Sequence, residues 1–204
     1  MSWRYLPLVG MVLIVVIAVV RPCLQYRWHG TFGIGLFRSG KRAQDLRDAG
    51  LIALVVILIA QGAGVATSGH ERSLPIVGHG ALRDVRQAAG AVLLLGGIAL
   101  LAAAQLNMGA SWRIGIKEGE APGLVTAGCY RFCRHPIYLG LLSALAGYAA
   151  LLPTPLSLAL LAVAYVGVRA QAAAEEAYLG RTYGEAFRAY AHHTGRFLPG
   201  VGRL

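Results

Sequence analysis

Residues 137–168 read IYLGLLSALAGYAALLPTPLSLALLAVAYVGV. Two apolar runs, 137–152 and 155–168, are separated only by Pro153 and Thr154. Proline in a helix interior removes a backbone bond and clashes with the preceding turn, so the pair of runs predicts a tight helical hairpin. Each run falls short of the roughly 20 apolar residues that cross a hydrocarbon core of about 30 Å, a shortfall that snorkelling flanks can make up.

Three more apolar segments lie upstream, at 6–20, 49–66 and 88–106. The 204-residue chain is 56% hydrophobic and 14% charged, with a mean hydropathy of +0.58. That balance excludes an ordinary soluble domain and predicts an all-α integral membrane protein with about five transmembrane helices. The first segment is an anchor rather than a cleaved signal, because Val19-Val20 followed by Arg21-Pro22 lacks a small-residue cleavage pattern. No low-complexity linker or internal repeat divides the chain, so residues 1–204 form a single multi-pass membrane domain.

A net charge of +10 raises nucleic acid as a partner, but cations spread between apolar spans serve orientation better. With the N-terminus outside, the inner segments 21–48, 107–136 and 169–204 carry fifteen Lys and Arg, and the outer ones carry four. The positive-inside rule then places the loop 107–136 and the tail in the cytoplasm. The basic segment 21–48, ending in KRAQDLRDAG, reads as a solvated cytoplasmic loop, and the outer loop with His70, Glu71 and His79 carries no convergent chemistry.

Cys23, Cys129 and Cys133 show no paired disulfide spacing. Cys129, Cys133 and His135 would need a fourth ligand from His192 or His193 to close a zinc site, so no metal is expected.

The polar chemistry gathers in the second half. Residues 129–140, CYRFCRHPIYLG, set Arg131, Arg134 and His135 against Pro136, which suits the first turn of a helix. From Arg169 onward the chain predicts a charged amphipathic helix, with Glu176, Leu179, Tyr183, Phe187 and Tyr190 along one stripe. Glu175 and Glu176, adjacent carboxylates close to a bilayer, call for a cation to meet them. Loop and tail on one side of a short hairpin can close over its end and form a pocket. Arg131 and Arg134 have two readings, ligand contact or an anchor to lipid headgroups.

The stretch LVTAGCYRFCRHPIYLG (124–140), the hairpin, and EEAYLGRTYGEAFRAYAHHTGRFLP (175–199) together resemble the isoprenylcysteine carboxyl methyltransferase family and its phospholipid methyltransferase relatives. The resemblance covers roughly 111–204. It implies a C-terminal helix closing a cytosolic cofactor pocket, S-adenosyl-L-methionine as methyl donor, and a lipophilic or prenylated acceptor entering from the membrane. By the same resemblance Pro122, Gly123, Leu124, Val125, Tyr130, His135, Pro136, Ile137, Tyr138 and Glu175 fall on cofactor-contacting positions, with Lys117 as a neighbour.

One departure bears on the acceptor. Gln171 stands where the isoprenylcysteine enzymes carry a substrate-contacting arginine, and Arg169 is the substitute candidate. Arg169 and Glu176 are the catalytic candidates, and Glu176, Tyr183 or His135 would serve as base if the acceptor were a phenol or an ammonium. Carboxyl O-methylation of the isoprenylcysteine type leads the readings. Methylation of a phenolic lipid or aminophospholipid, and a non-enzymatic membrane subunit or transporter on the same scaffold, are the alternatives.

Overall fold

The computed structural model describes residues 3–37, 42–68, 80–114 and 123–203. Among them six α-helices follow in chain order: α1 (Leu6–His29), α2 (Arg42–Ser68), α3 (Ala81–Asn107), α4 (Pro136–Leu151), α5 (Pro155–Tyr183) and α6 (Glu185–His193). Helices α1, α2, α3 and α5 are long and apolar enough to cross a membrane, and α4 is a shorter apolar helix. This is the all-α membrane architecture that the apolar runs predict. At about 1.5 Å per residue, the 16 residues of α4 reach about 24 Å, less than the core of a bilayer.

Two of the three prolines at the hairpin act at helix starts, and Pro153 lies in the connection between the helices. Pro136 and Pro155 occupy first turns, where the missing N–H has no intrahelical partner to lose. Thr154 caps α5, its hydroxyl accepting from the Ser157 N–H at 3.0 Å.

The connection between α4 and α5 is as short as predicted, yet α4 packs most extensively on α3. Gly90 and Gly97 of α3 face Gly140, Ala144 and Gly147 of α4. A Cβ built on Gly97 would lie 2.6 Å from the Gly140 carbonyl oxygen, and one on Gly147 would lie 2.3 Å from the Leu94 nitrogen. Small residues at a seven-residue interval on both helices let the two backbones touch. Tyr148, fully buried beside this seam, ties α4 to α2 by donating its hydroxyl to the Leu58 carbonyl at 2.8 Å.

Three helix ends differ from the sequence reading. Helix α1 runs past Arg21-Pro22 to His29 and closes on Gly30 (φ 73), whose N–H meets the Tyr26 carbonyl. Arg21 is buried rather than loop-facing: it donates to Gln25 Oε1 at 2.7 Å and to the carbonyls of Gln105 and Gly109 at 3.3 and 3.0 Å. Its guanidinium lies 4.6 Å from the centre of the Trp112 ring. Those contacts with the exit of α3 outweigh the single backbone bond that Pro22 removes. Helix α2 begins at Arg42, so most of KRAQDLRDAG is helix, with Gln44 and Asp48 buried.

Helix α5 continues without interruption through Glu175 and Glu176 to Tyr183. The predicted tail stripe is therefore split between α5 and α6, because Gly184 (φ 53) turns the chain between them.

Candidate functional site

At 3.6 residues per turn, consecutive helical side chains diverge by about 100°. Glu175 and Glu176 therefore leave α5 in different directions. Glu176 turns toward the C-terminal segment, where Arg134 Nε donates to its Oε1 at 2.9 Å and Arg196 Nε donates to the same oxygen at 3.1 Å. Glu175 turns toward an open cavity. It accepts from the Tyr138 hydroxyl and from Gln171 Nε2, the latter at 3.1 Å. The Glu175 side chain keeps 29% of its surface exposed and Glu176 keeps 6%, so only the first offers an accessible carboxylate.

The Arg134-His135-Pro136 corner is held by the end of the chain. The Arg134 N–H donates to the Gly195 carbonyl at 2.9 Å and the His135 N–H to the Arg196 carbonyl at 3.1 Å. The Arg134 guanidinium also donates to the carbonyls of Ala191, Thr194 and Gly202. Of the two readings for Arg134, its partners are protein groups: it meets the Glu176 charge and satisfies carbonyls in the last turn of α6 and beyond it. Arg131 is exposed, its guanidinium 4.4 Å from the centre of the Phe132 ring.

His135 lies between the two carboxylates. Its Nδ1 is 3.6 Å from Glu175 Oε2 and its Nε2 is 3.3 Å from Glu176 Oε1. Burial disfavours the imidazolium, but the bonds and charges of Glu175 and Glu176 outweigh it, so His135 titrates above its ordinary value. Tyr130 and Tyr190 are also shifted upward. Burial, reinforced at Tyr130 by the Glu175 charge, raises both phenols well above their ordinary range. They are neutral hydrogen-bond donors, and Tyr190 donates to the Tyr130 carbonyl at 2.6 Å.

The cavity measures about 640 Å³, within the about 300–1,000 Å³ of small-molecule sites. Its polar end is lined by Gly123, Leu124, Val125, Tyr130, His135, Tyr138, Glu175, Tyr183 and Tyr190. The Gly123 N–H donates to the Tyr183 hydroxyl at 3.1 Å, which pins the loop strand onto α5. The other end is apolar and runs between helices, lined by Ile14 of α1, Leu51, Leu54 and Val55 of α2, and Val163 and Gly167 of α5.

Of the residues expected at a cofactor site, Gly123, Leu124, Val125, Tyr130, His135, Ile137, Tyr138 and Glu175 line this one cavity. Pro136 is buried in the first turn of α4 and is not among the lining residues. Lys117 and Pro122 lie outside the described residues. Gln171 lines the cavity, whereas Arg169 is exposed and donates to the Tyr165 hydroxyl at 3.2 Å. Glu176 stands behind the wall in its ion-pair cluster.

Reading 21–48 as a solvated loop missed Gln44, Arg47 and Asp48, which also line the cavity. Arg47 Nε donates to Gln171 Oε1 at 2.9 Å. The three-and-four spacing of Gln44, Arg47 and Asp48 was the available signal, since it puts them on one helical face.

A family model described as phospholipid methyltransferase matches residues 85–186, half of the chain, from the first turns of α3 into α6. No curated protein and no solved structure matched significantly.

Proposed function

The chain belongs to the phospholipid methyltransferase family, and on that premise we propose that it transfers a methyl group from S-adenosyl-L-methionine to the carboxylate of a lipophilic, isoprenylcysteine-type acceptor. The family accounts for a membrane methyltransferase with a lipophilic acceptor. The donor, the carboxylate acceptor and a cytoplasmic position for the site are the parts proposed.

The donor set of the cavity fits the proposed cofactor. An accessible carboxylate, Glu175, is chemically suited to an ammonium group. The faces of Tyr130, Tyr183 and Tyr190 suit a sulfonium. Leu124 and Val125, beside Gly123 in the cavity lining, carry backbone amides suited to a carboxylate or a purine edge. When bound, such a cofactor supplies an activated methyl carbon whose bond to sulfur breaks as the acceptor oxygen bonds to it.

The observation that supports the carboxylate reading is how the polar groups of the site are engaged. Burial raises the Tyr130 and Tyr190 phenols so that they keep their protons, both His135 nitrogens face carboxylates, and Glu176 is occupied by two arginines. His135 and Glu176 are thus engaged with protein groups rather than turned toward an acceptor. A phenol or an ammonium has to lose a proton before it can attack, and a carboxylate does not. The chain's own contribution is then alignment and exclusion of water: Tyr138 and Gln171 fix Glu175, and the Gly123–Tyr183 bond ties the cavity wall at Gly123 to α5.

Membranes containing the protein, incubated with methyl-labelled cofactor and N-acetyl-S-farnesylcysteine, an alkylphenol or phosphatidylethanolamine, test the proposal. A methyl ester releases labelled methanol in alkali. Alkali-stable label on the phenol or the amine would overturn the carboxylate reading, and absence of transfer to all three would overturn the activity. The bias of fifteen Lys and Arg against four supports a cytoplasmic site by the positive-inside rule.

A further inference from the structure

We propose that Arg47, in the second turn of α2, anchors the headgroup of the methyl acceptor, and that this headgroup is an oxygen anion, carboxylate or phosphate, carried on an apolar chain. The proposal rests on the methyl-transfer reading of the cavity. It adds a residue and a charge requirement on an element outside the matched region 85–186.

Arg47 stands where the polar end of the cavity meets the apolar groove between α2 and α5. Its Nη2 donates to Gln44 Oε1 at 2.7 Å and its Nε to Gln171 Oε1 at 2.9 Å. Both partners are neutral amides, which orient a guanidinium without cancelling its charge. Asp48, one residue on, is spent elsewhere: its Oδ1 accepts from Gln44 and its Oδ2 from the Phe37 N–H, at 2.8 and 2.9 Å. Among the described cations lining the cavity, Arg134 by contrast meets a carboxylate and three carbonyls. Arg113 lies 5.5 Å from the centre of the Tyr178 ring.

A cation oriented by amides at the mouth of an apolar groove is complementary to an amphiphile with an anionic head. The groove below it is lined by Leu51, Leu54, Val55, Val163 and Gly167. Gln171 sets the spacing, because the same side chain accepts from Arg47 and donates to Glu175 at 3.1 Å. Anion-binding and ammonium-binding positions are thus one side chain apart. The Glu175 charge repels the headgroup toward Arg47 and attracts a cationic donor, so the two reactants are sorted to opposite sides of Gln171. The acceptor oxygen loses its charge on forming the ester bond while the pair of the breaking C–S bond leaves on sulfur, so no proton moves.

Tritiated myristate, tetradecyl phosphate, tetradecanol and tetradecylamine share one chain length and differ in headgroup. Their binding to the full-length protein in neutral detergent at pH 8 is measured beside a separate titration with S-adenosylhomocysteine. At least one anionic probe is expected to bind tenfold or more tighter than the alcohol and the amine, and the preferred anion tells carboxylate from phosphate. Arg47→Gln abolishes that preference and Arg47→Lys keeps part of it, while S-adenosylhomocysteine affinity stays within about twofold. Gln171→Glu neutralises Arg47 without removing it and also abolishes the preference, which covers the case in which Arg47→Gln fails to fold. Equal binding of all four probes by the unaltered protein, or an anion preference that survives in Arg47→Gln, overturns the anchor. Failure of the unaltered protein to bind S-adenosylhomocysteine overturns the methyl-transfer reading, and this proposal with it, whatever the probes do.

Discussion

Glu175 and Glu176, neighbours in the chain, share the two nitrogens of one imidazole, with His135 Nδ1 3.6 Å from the first and Nε2 3.3 Å from the second. The two carboxylates nevertheless do different work. Glu175 faces the cavity with neutral partners in Tyr138 and Gln171, and Glu176 closes a buried cluster with Arg134 and Arg196.

Replacing each by glutamine separates those roles. Glu175→Gln is expected to weaken S-adenosylhomocysteine binding by tenfold or more, since a charge-assisted bond contributes about 1.5–3 kcal/mol, with a smaller loss of thermal stability than Glu176→Gln. Glu176→Gln leaves two arginines without their anion, and breaking a buried pair from one side costs about 3–5 kcal/mol. Calorimetry and thermal unfolding in detergent read both effects. The same profile from the two variants would show that the division of labour is wrong.

The raised titration of His135 sets the sign of a pH dependence. A group whose folded value lies above its unfolded one stabilises the fold fully below the unfolded value of about 6.5, and that stabilisation is lost as pH rises through the folded value. The unfolding temperature of the ligand-free protein should fall over that window. His135→Gln should remove this component, and an unchanged slope in the variant would assign the dependence to another group.

The α3–α4 seam predicts a sharp difference between adjacent glycines. Gly97→Ala puts a methyl group against the Gly140 carbonyl, whereas a Cβ on Gly96 meets nothing within 4 Å. Overpacking of this kind costs about 1–3 kcal/mol. Gly97→Ala should lower the unfolding temperature by several degrees and Gly96→Ala should not. Equal behaviour of the two would mean that the backbones are not in contact.

Orientation is testable with single cysteines in a background where Cys23, Cys129 and Cys133 are replaced. If the cavity end is cytoplasmic, a membrane-impermeant maleimide added to intact cells should label Ser68→Cys at the far end of α2 and spare Arg203→Cys. Labelling in the reverse pattern would invert the topology.

The apolar runs made the helices and the hairpin legible, because hydrophobic length is a local signal. The rim at 134–138 and the pair at 175–176 were legible as chemistry, since charge next to apolar sequence needs a partner. What escaped was long-range. Arg21 looked like a topology marker, but it meets α3 eighty-four residues away through the Gln105 carbonyl. Arg47 looked like a loop charge, but its partner Gln171 is supplied by the far end of the chain. The glycines at 90, 97, 140 and 147 were visible, yet only the pairing of α3 with α4 gives them meaning.

Helix α5 carries Val163 and Gly167 on the apolar groove and Gln171 and Glu175 on the polar end without a break. One rigid rod, fixed at its start by the Thr154 cap, is therefore a ruler on which the depth of the acceptor's chain and the place of the donor are read against the same marks. A single residue inserted between 167 and 171 would rotate everything above it by about 100° and raise it by about 1.5 Å, swinging Glu175 off the cavity while leaving every apolar contact below intact. Such an insertion would uncouple where the lipid sits from where the methyl group arrives.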